Sequence, residues 1–143
     1  MSNTLDVFAL CVLVLFLKML AISCYQGFFR LRHLAFTNIE DAGFFRRAAN
    51  PTELPQVRRA ARACANDLES IPLFFVLGCL CLAWEAPSVA AGGLFCTFAR
   101  GRVMHTLLYL GGRQPWRTLA YGVGVICLLG LAGMIVVGVG SRL

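Results

Sequence analysis

The chain has 143 residues, room for one compact domain, and 59% of them are hydrophobic against 14% charged, with mean hydropathy +0.74. A soluble domain of this size cannot hide so much apolar surface, so the balance excludes one and makes the lipid bilayer the expected solvent. The formal net charge of +6 is not gathered on a basic soluble face, which argues against nucleic acid as a partner.

The first apolar run covers about residues 5–29 and is expected to be a retained transmembrane helix. It carries Asp6 where a cleaved leader would be basic, and Lys18 in its middle, where a lone lysine is expected to face the bundle or to snorkel. A long connection follows, about 30–58, punctuated by Pro51 and Pro55 and expected as a loop. Further spans are expected at about 61–84, 88–110 and 118–140. The second and third are separated by Trp84-Glu85-Ala86-Pro87-Ser88, short enough to force an antiparallel helical hairpin. Gly111-Gly112-Arg113-Gln114-Pro115-Trp116 makes the next short turn. Gly122, Gly124, Gly130, Gly133, Gly138 and Gly140 suit the last span to close helix packing. The fold class expected is an all-α integral membrane protein, one four-transmembrane-helix bundle over residues 1–143.

Seven cysteines lie mostly inside these apolar runs, with no C-x-x-C pair and two histidines in the chain. Neither a metal site nor a disulfide framework is expected from that pattern; buried small hydrophobes are.

Charge sets the orientation. Arg30 to Arg62 holds seven arginines against three acids, Arg100 to Arg117 four against none, and the turn at Glu85 has no Lys or Arg. The first and third connections are therefore expected in the cytoplasm. Near that face, Arg59, Arg62, Asn66 and Glu69 are spaced three, four and three apart, a stripe of about 80° on one helix side. Arg102, His105 and Tyr109 repeat the spacing on the third span, and Arg117, Thr118 and Tyr121 open the fourth. An ionised side chain near the bilayer centre costs on the order of 2.5–3.5 kcal/mol, so short polar groups here need partners. Arginines at helix ends can snorkel, and Tyr109 and Tyr121 suit an interfacial belt as well as a ligand. For Asn66, Asp67, Glu69 and His105 the bundle interior or a subunit interface is expected. Asp67 is expected to pair with an arginine such as Arg102, and His105 to donate an interhelical hydrogen bond. A small anionic peptide with two carboxylates and an amine would complement the charges.

Four stretches carry a resemblance in order along nearly the whole chain. They are RLRxxAFxNxEDA at Arg30–Ala42, RAxxNDxE at Arg62–Glu69, GRVxHTxxYLG at Gly101–Gly111 and PxR[ST]xxY at Pro115–Tyr121. The sequence resembles the MAPEG family, membrane-associated proteins in eicosanoid and glutathione metabolism, its prostaglandin E synthase branch most closely and its microsomal glutathione transferase branch next. The resemblance implies a homotrimer in the endoplasmic reticulum or another endomembrane, with glutathione bound between subunits near the cytoplasmic face. By position, Arg30, Arg62, Asn66, Glu69, His105, Tyr109, Arg117, Thr118 and Tyr121 would line that site. Glu69 would hold the glutathione amine, Arg117 would face the sulfur with Thr118 beside it, and Asp41 would be the proton-transfer partner. The implied activity is isomerisation of prostaglandin H to prostaglandin E, a lipophilic substrate met from the bilayer. The alternatives are glutathione conjugation or peroxidase chemistry, and a non-catalytic lipid-binding role. Three positions depart from the pattern: Arg58 replaces Glu, Cys64 replaces His, and Ala65 stands where the synthase branch has Arg and the transferase branch Leu. Ala65 removes one charge-assisted contact, worth about 1.5–3 kcal/mol.

Overall fold

The structure, a computed structural model, describes residues 2–141. It is all-helical: α1 (Ser2–His33), α2 (Ile39–Phe44), α3 (Pro55–Ala83), α4 (Ser88–Leu110) and α5 (Trp116–Gly140). Three of these, over Asn3–His33, Pro55–Ala83 and Trp116–Gly140, are long and apolar enough to cross a membrane. The protein is therefore a multi-pass membrane protein. The 23 residues of α4 rise about 35 Å, as long as a span, but Arg100, Arg102 and His105 interrupt its apolar character.

Two boundaries differ from the sequence expectation. The first helix continues past residue 29 to His33, and α3 starts at Pro55, where proline costs nothing because the first amide has no helical acceptor. Backbone hydrogen bonding does not stop where lipid stops, so basic residues at the edge extend both helices into water. The long connection is thereby reduced to 34–54 and contains the six-residue α2.

The first four helices close in the same way. A bond spanning five residues runs from Ala35 N to Arg30 O, Arg47 N to Ala42 O, Ala86 N to Cys81 O and Arg113 N to Leu108 O. The residue before each donor sits in the left-handed region: Leu34, Arg46, Glu85 and Gly112. This is the Schellman closure, and only the last uses glycine, the residue that takes that conformation without cost.

In cross-section α3 and α4 touch each other and both outer helices, while α1 and α5 do not meet among the described residues. The core is aromatic. Phe74 of α3 stacks on Phe98 of α4 at 4.4 Å between centroids, and Phe8 of α1 lies 4.9 Å from Phe95 and 5.6 Å from Phe74. Cys11, Cys81 and Cys127 are buried in this core as small apolar groups, and all seven cysteines are free. The outer surface is apolar as well: Leu10, Ile126, Val136 and Val137 are 62–73% exposed, as a helix solvated by acyl chains requires.

Gly78 is where α3 approaches α1 most tightly. A methyl group there would run into Cε2 of Phe8, whose ring is held by Phe74 and Phe95. Gly78→Ala is expected to lower stability by about 1–3 kcal/mol through overpacking, measured by unfolding in detergent. Gly133→Ala, which meets nothing within 4 Å, should leave stability within error of the parent.

Candidate active site

The site begins with a buried carboxylate. Asp67 is fully buried on α3 and is shared by two cations. Arg102 of α4 donates to its Oδ1 from Nη2 at 2.5 Å and from Nε at 3.2 Å. Lys18 of α1 brings Nζ to 2.5 Å from Oδ2. The expected Asp67–Arg102 pair and the bundle-facing Lys18 are thus one cluster, tying three helices at one level. Arg102 Nη2 also donates to Asn66 Oδ1 at 2.8 Å. One carboxylate against two cations leaves a formal charge of +1, so the cluster attracts anions as well as holding the bundle.

Arg102 opens onto a cavity of about 430 Å³ between α3 and α5. Asn66, Glu69, Ser70 and Tyr121 line it beside Arg102; Leu73, Leu77, Leu128 and Leu129 line the rest. The leucines lie further along from Pro55 and Trp116, the starts of α3 and α5, so the cavity is polar toward those ends and apolar toward the middle of the two helices. Glu69 is exposed there and makes no ion pair or hydrogen bond among the described residues. A second group continues from Tyr121. Its ring lies 6.2 Å from that of buried His105, which lies 5.7 Å from Tyr109, and the Arg117 guanidinium sits 4.5 Å above the Tyr109 ring. Half-buried Arg117 is held there by a cation–π contact, its guanidinium making no hydrogen bond among the described residues.

A family model described as the MAPEG family matches residues 8–137. The chain belongs to the MAPEG family. It is 37% identical over 136 residues to the prostaglandin E synthase of Equus caballus, covering 94% of this chain and 89% of that protein. With the prostaglandin E synthase of Homo sapiens it shares 38% over 124 residues, 84% and 80% of the two chains. Microsomal glutathione S-transferase 1 of Bos taurus is 35% identical over 121 residues, 80% and 77% of the two chains.

Within one MAPEG chain the nine positions expected to line the site and Asp41 do not all converge. Asn66, Glu69 and Tyr121 line the cavity, and His105, Tyr109 and Arg117 form the adjoining ring cluster. The other four lie apart. Arg30 is held by Glu53, Nη2 at 2.5 Å and Nε at 3.1 Å from Oε2. With Asp41, Thr37 and Asn38 it lines a separate polar cavity of about 260 Å³. Asp41 is in the first turn of α2 and touches neither Arg117 nor Thr118 among the described residues. Arg62 is exposed and makes no ion pair among the described residues, and the Thr118 hydroxyl donates to Gln114 Oε1 at 3.1 Å. The hydrogen bond expected of His105 is absent at Nδ1, which is buried without a partner because rings surround it and Asp67 is saturated by its two cations. Arg59 of the polar stripe donates instead to the Leu110 carbonyl at 3.0 Å, tying α3 to the end of α4. Two cavity residues escaped sequence reasoning as ligand contacts, Arg102 and Ser70. Arg102, three before His105 on the same helix face, carried a readable signal; Ser70 did not.

Proposed function

We propose that this chain is a glutathione-dependent membrane enzyme acting on lipophilic substrates, and that its reaction is isomerisation of prostaglandin H to prostaglandin E. The observation that carries this reading is the two-ended cavity: an unpaired carboxylate, Glu69, faces the Arg102 cluster at the polar end, and leucines line the other. Such a donor set fits a zwitterionic peptide with excess negative charge, and the apolar end fits a lipid-derived partner. Bound there, glutathione supplies a nucleophilic thiol. Glu69 then holds its ammonium, Arg102, the Asn66 amide N–H and the Tyr121 hydroxyl donate to its carboxylate end, and Arg117 stands over the ring cluster as the cation nearest a reacting sulfur.

Exposure of Glu69 and Arg62 supports a homotrimer, since a neighbouring subunit would cover charged groups that lipid would otherwise face. In that assembly Arg30, Asp41 and Thr118 approach the cavity from across the interface, and α4 completes a fourth span. The charge asymmetry of the connections supports a cytoplasmic-face site, in the endoplasmic reticulum or another endomembrane. A second reading, glutathione conjugation of lipophilic electrophiles, is supported by Ala65, apolar where the transferase branch is apolar.

Purified trimer supplied with glutathione and, in parallel, prostaglandin H or a chlorinated nitroarene separates the two. Prostaglandin E formed without net glutathione consumption is the expected result; conjugate alone selects the second reading. Glu69→Gln is expected to weaken glutathione binding about ten- to a hundredfold in calorimetry, the loss of one charge-assisted contact. Unchanged heat in that variant would remove Glu69 from the site.

A further inference from the structure

On the flank away from that cavity, a groove of about 580 Å³ runs between α1 and α4. Its walls are Val7, Leu10 and Val14 on one side and Val103, Met104 and Leu107 on the other, and Arg100 is its one charged lining residue. The volume lies within the roughly 300–1,000 Å³ of ordinary small-molecule sites. Arg100 is exposed, and among the described residues it makes no hydrogen bond or ion pair. It stands ten residues before Leu110 and twelve after Ser88, about 15 and 18 Å of helical rise from the two ends of α4. An arginine side chain spans less than half of either distance, so snorkelling brings its charge to neither end of α4.

Among the described residues no acid of this chain pairs with it. Of seven acids, Asp67 is taken by Lys18 and Arg102, and Glu53 by Arg30. Glu40 and Asp41 lie on α2, Glu85 in the α3–α4 turn, and Asp6 little more than one turn into α1 from its start. Glu69 is the other acid within a span, and it lines the opposite cavity.

We infer that the α1–α4 groove binds a single-chain long-chain carboxylate, its acyl chain along the apolar walls and its carboxylate on Arg100. Charge and shape both select this occupant. The guanidinium fork matches a carboxylate in two parallel hydrogen bonds, and the groove is otherwise apolar. Depth separates it from a phospholipid. A carboxylic acid takes up its proton readily when desolvated, enters the membrane neutral, and ionises on meeting the arginine. A phosphodiester stays anionic and stays at the head-group level. The inference rests on α4 lying in the bilayer, and not on the glutathione reaction.

The test uses trimer in phosphatidylcholine nanodiscs and a diazirine-bearing long-chain fatty acid, with its methyl ester as control and labelled peptides read by mass spectrometry. The acid is expected to label peptides of α1 and α4 around the groove, with oleate competing. Labelling should fall about tenfold in Arg100→Leu, while Arg100→Lys keeps part of it. The methyl ester should label weakly and equally in parent and variant, which reads lipid exposure of α4 alone. Glutathione heat, measured on the same samples, should match the parent in both variants and so reports folding and the separate site. Equal acid labelling in Arg100→Leu, acid and ester labelling alike, no labelling of α1 and α4, or competition by phosphatidylserine in place of oleate would each overturn the inference.

Discussion

Arg117→Ala is expected to abolish the neutral-pH thiolate absorbance of glutathione bound to the trimer and to lower turnover about a hundredfold. A free thiol of pKa about 8.5 is only a few per cent ionised at pH 7, and a two-unit drop requires about 2.7 kcal/mol of preference for the anion. One guanidinium in a partly desolvated pocket supplies that much, and Arg117 is placed to do so: half-buried at the start of α5 and fixed 4.5 Å above the Tyr109 ring. Fixing matters because an unrestrained arginine would turn toward water. Arg117→Lys keeps the charge but loses the planar stack and fork, so an intermediate loss is expected. Tyr109→Leu should lower turnover less than Arg117→Ala, since it removes the platform and leaves the cation. Absorbance unchanged in Arg117→Ala would place the activating charge elsewhere, with Arg102 the next candidate.

The long helices were legible because their cause is local: apolar runs bounded by turn residues such as Glu85-Ala86-Pro87, three of them long and apolar enough to cross a membrane. The Asp67–Arg102 pair was legible for a similar reason, since two helices of opposite direction must bring their short polar groups to one depth. What was not legible depends on packing between distant parts of the chain. Helical spacing orders side chains along one helix and says nothing of how the 34–54 connection folds back, so the separation of Arg30 and Asp41 from Arg117 carried no sequence signal. Leu34 and Arg46 close their helices in a conformation usually announced by glycine, so those ends passed unmarked. The bare Nδ1 of His105 follows from competition: Lys18, forty-nine positions before Asp67, occupies the carboxylate oxygen that Arg102 leaves open.

That competition makes Asp67 the residue whose loss should cost the most stability. Asp67→Ala leaves Lys18 and Arg102 buried without their shared anion, and removal of one partner from a buried ion pair costs about 3–5 kcal/mol. Lys18→Met should behave very differently. It leaves Arg102 and Asp67 as a neutral pair joined by two hydrogen bonds to Oδ1, and it replaces a poorly solvated ammonium with an apolar chain of similar length. Its expected effect is within about 1 kcal/mol of the parent, of either sign. Unfolding of the detergent-solubilised protein measures both. Glutathione affinity gives a second readout that simple destabilisation would not move at temperatures where the variant is folded. Arg102 is aimed at the cavity by Asp67 and Asn66 together, so Asp67→Ala should weaken binding while Lys18→Met leaves it unchanged. Comparable stability losses in the two variants would mean that the lysine contact, and not the guanidinium pair, holds α1 to α3, and the cluster would then be a structural clamp with no part in positioning Arg102.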